Sequence, residues 1–113
     1  MELLMSRFFP APEECGDHTI FGTTKITTFA GEHVQLSFAD IPEGGVVDWH
    51  THPNEQVGFV ISGRATFYIG DEVKTLGPGE FFFIPGGLRH KVVAVDGPAK
   101  ALDVFYPIRE EYR

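Results

Sequence analysis

At 113 residues the chain has material for one hydrophobic core and not for two, which excludes a two-domain enzyme. Hydrophobic residues make up 42% of it and phenylalanine alone contributes 11, a composition that excludes disorder. With 16 acidic residues against 9 basic ones the net charge is −7, so a long contact with nucleic acid or an anionic membrane is disfavoured and an anionic ligand needs a local basic site.

In chain order, residues 1–18 read as an N-terminal arm with Phe8-Phe9, Pro10 and Pro12. The stretch Met1-Glu2-Leu3-Leu4-Met5-Ser6-Arg7 lacks a basic start, and its apolar part is too short for a signal peptide or a membrane span. A single cysteine, Cys15, forms no internal disulfide and has no basic neighbour to activate it; together these features predict a cytoplasmic protein. Runs rich in β-branched and aromatic residues then follow, with glycine and proline recurring between them: Thr19 to Ala30, His33 to Ile41, Val46 to Trp49, Val57 to Ser62, Arg64 to Ile69, Glu80 to Ile84, His90 to Val95 and Ala99 to Tyr106. No helical periodicity persists, so the expected class is all-β, a small sandwich or jelly-roll barrel, with residues 107–113 as a C-terminal tail. Phe81-Phe82-Phe83-Ile84 does not alternate. A strand apolar on both faces suits a core on one side and a subunit interface on the other, and with Phe8-Phe9 it predicts a homodimer.

Chemistry concentrates in the histidines. His50 and His52 are two apart on extended chain and share a face, Gln56 follows, and a third histidine, His90, lies after Pro85-Gly86-Gly87. Neutral imidazole is the commonest side-chain ligand for transition metals, and an amide or carboxylate oxygen can complete a mixed site with open positions. Such a ligand set leaves the charge of the ion uncompensated and attracts an anionic substrate. His18 and His33 lack this context and read as surface residues; Trp49 points away from His50 and packs. Gly86-Gly87 lacks the Lys-Ser/Thr of a phosphate loop.

The glycine spacing around these residues, Gly44…His50-x-His52…Gln56…Gly63 and then Gly79…Pro85-x-Gly87…His90, resembles the two signature motifs of the cupin superfamily. The resemblance implies a jelly roll in which His50, His52, Gln56 and His90 converge on one metal. Gln56 stands where an acidic ligand is common, and Ala94 where an asparagine is frequent. Glu55 is one residue off the motif and faces away from Gln56 on a strand, which favours Gln56 as the ligand.

From about Thr19 to the end the chain resembles, within that superfamily, the pectin-degradation cupins, which linearise unsaturated uronates. The carrying residues are Ala30-Gly31-Glu32-His33-Val34, His50-x-His52-Pro53-x-Glu55-Gln56-Val57-Gly58 and Asp103-x-Phe105-x-Pro107-x-Arg109-Glu110-Glu111-Tyr112. Tyr106 and Asn54 depart from that pattern at the pocket rim. The resemblance implies that Asp103 is the acid/base, that Phe105 forms a wall for the sugar ring, and that Arg109 clamps a substrate carboxylate. The expected function is metal-dependent, non-redox ring opening of 4,5-unsaturated uronates with a divalent transition metal, Ni, Zn, Fe(II) or Co. An Fe(II) dioxygenase and a non-catalytic sugar-binding or sensing protein are the alternatives. The absence of a helix-turn-helix segment argues against a self-contained transcription factor.

Overall fold

The computed structural model describes residues 6–113, so the apolar start at residues 1–5 lies outside the described part. Eight strands account for most of it: β1 Gly16–Ile20, β2 Thr24–Ala30, β3 Gln35–Ile41, β4 Val46–His50, β5 Glu55–Ile69, β6 Glu72–Leu76, β7 Phe81–Ile84 and β8 His90–Tyr106. All pairings are antiparallel, in the order β1-β2-β3-β8-β5-β6, with β4 added to β8 and β7 to β5. The chain folds as a jelly roll, the all-β architecture its turn spacing predicts. No helix among the described residues is long and apolar enough to cross a membrane.

Two long strands build the barrel. β5 and β8 pair along nearly their whole length, Glu55 with Tyr106 at one end and Ile69 with His90 at the other, and the ladder shifts register around Ser62. There the strands bend, so the first half of β5 pairs with β7 and the second with β6, while the two halves of β8 pair with β3 and β4. Gly63 makes the bend possible: its φ is 73°, and a Cβ on it would lie 2.1 Å from the Pro98 carbonyl oxygen. Glycine and proline signals that separate strands in the sequence are thus bends within continuous ones. The opposite occurs in Thr19 to Ala30, a single run that contains a hairpin between β1 and β2.

Alternation sorts the side chains into two faces. Inward residues of both halves, among them Ile41, Val60, Phe67, Phe82, Ile84 and Val92, close the core, with Phe67 stacked on Phe82 at 4.5 Å. β7 alternates in burial despite its uniform sequence: Phe82 and Ile84 are buried, whereas Phe81 and Phe83 are 79% and 56% exposed. Those two belong to a larger outer face. In register across five strands run Phe29, Leu36, Val104, Val57 and Phe83, and beside them Phe38, Leu102, Phe59 and Phe81.

Candidate metal centre

The end of β4, the loop after it, the start of β5 and the start of β8 meet at one end of the barrel. His50 pairs directly with His90 in the ladder, and Gln56 lies opposite Phe105. The imidazole centroids of His50 and His90 are 4.1 Å apart, those of His52 and His90 4.9 Å, and those of His50 and His52 5.6 Å. One ligand nitrogen from each lies within 4.8 Å of the others, so the three histidines could hold a metal ion.

Their backbone contacts prepare them for it. Each Nδ1 faces a main-chain carbonyl: His50 that of Asp48 at 2.7 Å, His52 that of Asn54 at 3.0 Å, and His90 that of Leu88 at 2.8 Å. A carbonyl only accepts, so each Nδ1 carries the proton and each Nε2 presents its lone pair, the tautomer of a histidine ligand held by an outer hydrogen bond. The Nε2 of His90 is buried with no hydrogen-bond partner. His52 has an acceptor on both sides, with the Gln56 Oε1 3.0 Å from its Nε2. A neutral ring donates to one of them only. Burial pushes the pKa of all three histidines down, that of His90 to about 4, and the Arg109 charge pushes the same way. Neutral rings with an orphaned Nε2 and an acceptor pair face to face fit a cation, which satisfies all of these atoms together.

The site opens into a cavity with His50, Gln56, His90, Asp103, Phe105 and Arg109 on its lining and Ile26, Val47 and Phe67 among its apolar walls. Gln56 turns its amide to Asp103, Nε2 donating to Oδ1 at 2.9 Å, which directs Oε1 towards His52. Asp103 lies opposite Gly58 and Ser37 in the ladders. A Cβ on Gly58 would meet the Leu102 carbonyl oxygen at 2.1 Å and the Phe82 ring at 2.6 Å, so only glycine lets these strands approach beside the carboxyl. Burial raises the Asp103 pKa to about 6, against the Gln56 hydrogen bond and the Arg109 charge, which lower it.

The C-terminal segment, read from sequence as a tail, is docked. Gln35 is fully buried and grips Arg109 by both backbone groups: the Arg109 N–H donates to Gln35 Oε1 at 2.9 Å, and Gln35 Nε2 donates to the Arg109 carbonyl at 3.2 Å. Asn54 Nδ2 donates to the Pro107 carbonyl at 2.6 Å, and Thr28 Oγ1 to that of Tyr112. The guanidinium lies 4.1 Å from the Tyr112 ring and 5.1 Å from the Phe105 ring, with Nε buried and unpartnered.

Asp103, Phe105 and Arg109 thus share one cavity with His50, Gln56 and His90, while the His52 ring lies 5.5 Å from that of Phe105. Glu55 is exposed where Gln56 is buried. His18 faces the Arg113 carbonyl at 3.1 Å, His33 is exposed beside Glu32, and Trp49 packs outside the barrel under Arg89 at 4.2 Å. Gln35 and Tyr112 were not expected at the site. A signal for Gln35 exists: it shares a face with Ser37, Ala39 and Ile41, and a polar residue on a core face calls for a partner.

Residues 37–105 match the Cupin domain family. A stretch of 75 residues, 66% of the chain, is 33% identical to the dimethylsulfoniopropionate lyase DddQ of Ruegeria pomeroyi, and it spans only 37% of that protein. The fold is similar to an RmlC-like cupin from Shewanella frigidimarina, with a TM-score of 0.84 at 23% identity over 98% of this chain and 100% of that one. KdgF from Halomonas sp. superposes with a TM-score of 0.79 at 22% identity, over 89% of this chain and 95% of that one. At these identities the two structures establish the likeness of fold alone.

Proposed function

The chain belongs to the cupin family, and within it we propose that the protein is a metal-dependent enzyme that opens the ring of 4,5-unsaturated uronates to linear keto-aldehydes. The observation that carries this reading is the placement of a proton carrier, Asp103, and a guanidinium, that of Arg109, which among the described residues is paired only with Glu111 at 3.5 Å, in the cavity onto which the histidines open. His50, His52, Gln56 and His90 would hold the divalent ion, whose chemistry is Lewis-acid polarisation of substrate oxygens.

The reaction is an isomerisation and needs no oxidant. The C1 hydroxyl loses its proton, the bond from C1 to the ring oxygen breaks, C1 becomes an aldehyde, and the ring oxygen leaves as an enolate on C5. Protonation of C4 then gives the C5 ketone. One proton leaves O1 and one arrives at C4, so a single carboxyl that releases and takes up a proton near neutral pH serves both steps. Asp103, with its pKa raised to about 6, is such a group. Arg109 binds the substrate carboxylate through its guanidinium, in exchange for the Glu111 carboxylate that lies 3.5 Å from its Nη2, and Phe105 supplies a flat apolar wall.

Elemental analysis of the purified protein and an assay on lyase-generated unsaturated uronates test the reading; metal at one ion per chain with ring opening supports it, and no conversion refutes it. The similarity to DddQ favours a second reading, elimination from a small carboxylate, and release of dimethyl sulfide from dimethylsulfoniopropionate would select it. Oxygen uptake would select the Fe(II) dioxygenase, and sugar binding without turnover the non-catalytic alternative.

We also propose that a second copy of the chain covers the outer apolar face. Phe29, Leu36, Phe38, Val57, Phe81 and Phe83 are each more than a third exposed there. At roughly 150–200 Å² per large side chain, the face offers about 450–600 Å² of apolar surface. That lies in the upper part of the range for the largest patch of a monomer, and makes up more than half of the ~800 Å² that each partner of a standard interface buries.

A further inference from the structure

The hairpin between β1 and β2 turns on a residue poorly suited to it. Thr23 N–H donates to the Ile20 carbonyl at 3.3 Å, and the two residues between them both have positive φ, 50° at Phe21 and 76° at Gly22. That is the signature of a type I′ turn, whose first central position favours asparagine, aspartate or glycine. A phenylalanine is strained there because its Cβ crowds the backbone. Asp96, with φ 56°, is the other non-glycine residue of positive φ among the described residues, and it is of a type that tolerates the conformation.

Burial does not account for Phe21, which remains 45% exposed. Its location does. The ring lies 5.2 Å from that of His50 at a tilt of 48°, and the preceding residue, Ile20, lines the cavity. Backbone strain kept at an exposed residue beside the chemical site, where a better turn former was available, indicates a functional demand on the side chain.

We propose that Phe21 contacts the substrate: its ring forms the outer wall of the site and packs against the uronate ring, with Phe105 as the inner wall. The inference rests on the uronate reading, and names the residue by which the site selects a ring-shaped ligand over a small carboxylate. An aromatic face packs on the C–H face of a sugar through dispersion and burial of apolar surface, and contributes equally before and during ring opening. Its loss therefore raises KM and leaves kcat nearly unchanged.

The test compares the metal-loaded parent with Phe21→Asn and Phe21→Tyr in thermal unfolding and in steady-state ring opening. Phe21→Asn relieves the turn, and its Tm is expected to rise by about 2–5 °C. Its KM is expected to rise about 3–10-fold with kcat within roughly twofold of the parent, as for loss of one aromatic contact. Phe21→Tyr keeps the ring and the parental KM. A purely structural Phe21 does not produce gained stability with lost affinity. An unchanged KM in Phe21→Asn, or a lowered Tm, overturns the inference while the uronate reading stands. A parent that converts no unsaturated uronate overturns that reading and the inference with it.

Discussion

Replacing Gln35 with methionine tests whether the C-terminal segment belongs to the site or merely to the fold. The substitution nearly conserves volume in a fully buried position and deletes both hydrogen bonds to the Arg109 backbone, at 2.9 and 3.2 Å. Each such bond contributes about 0.5–1.5 kcal/mol net, and a backbone group left buried without a partner costs about 1–3 kcal/mol. The segment escapes the larger penalty by lifting into water, so the loss is capped at about 2–3 kcal/mol and falls on docking of residues 107–113. The barrel keeps its core, because Val60, Phe67, Phe82 and Ile84 lie elsewhere. The expected result is a Tm within a few degrees of the parent, faster proteolysis after Tyr106, and a KM for unsaturated uronates raised about 10–100-fold, in line with the same energy lost from the Arg109 clamp. Metal content should not change, since Gln35 touches none of the four candidate ligands. A parental KM together with a freely cleaved C-terminus would refute the reasoning, for Arg109 would then bind no substrate.

His50→Ala combined with His90→Ala should abolish stoichiometric metal while circular dichroism still reports a β-barrel; retained metal in the double variant sinks the assignment. Phe83→Glu places a charge in the middle of the outer face and should convert a dimer of about 25 kDa, twice the 12.6 kDa chain, to monomer in sedimentation, with the parent already monomeric as the refuting result. In the metal-free protein the pH dependence of stability has opposing parts. The three histidines have folded pKa values below the usual 6.5, so the unfolded chain binds more protons and stability falls as the pH drops from about 6.5 towards 4. Asp103 has a folded value near 6 against 3.8, so its contribution is present at low pH and lost as the pH rises through 6. Asp103→Asn removes that opposing part: the rise in Tm between pH 4.5 and 7 should steepen, and turnover should fall about 10²–10⁴-fold with metal content unchanged. A parental slope or a parental kcat contradicts the role assigned to the carboxyl.

The parts of this site that were legible in the sequence are those that local geometry decides. His50 and His52 share a face because extended chain repeats every two residues, and the same rule separates Gln56, buried, from Glu55, exposed. It also places Phe105 inside and Val104 in the outer row. Where a residue's meaning depends on pairing, local signals mislead. Gly97-Pro98 reads as a turn, yet β8 runs through it, because the proline falls where the ladder with β5 is already interrupted between the Arg64–Val95 and Ser62–Lys100 pairs and no N–H is required. β6 escaped notice because its single buried residue is Leu76; its other positions are polar or exposed, and the strand exists by pairing with Ala65 to Ile69. Gln35 and Arg109 are 74 positions apart, and nothing near either one predicts the other.

The same contrast explains why Phe21 is informative. Inward residues are over-determined: Ile84 and Val60 are what any barrel of this shape requires, so they carry little information about chemistry. Phe21, the Nε2 of His90 and the Nε of Arg109 are each a local violation, a strained aromatic and two buried polar atoms without partners. The sequence satisfies turn chemistry and hydrogen bonding through most of the barrel; among its exceptions, which also include Thr24 Oγ1 and Asp96 elsewhere, these three stand at or beside the histidine site, where a ligand is expected to meet the chain. A cation at the histidines and a carboxylate at Arg109 give the two polar atoms partners, a ring against Phe21 gives its retained strain a use, and a ring-shaped anion bound to a metal supplies both of the last two.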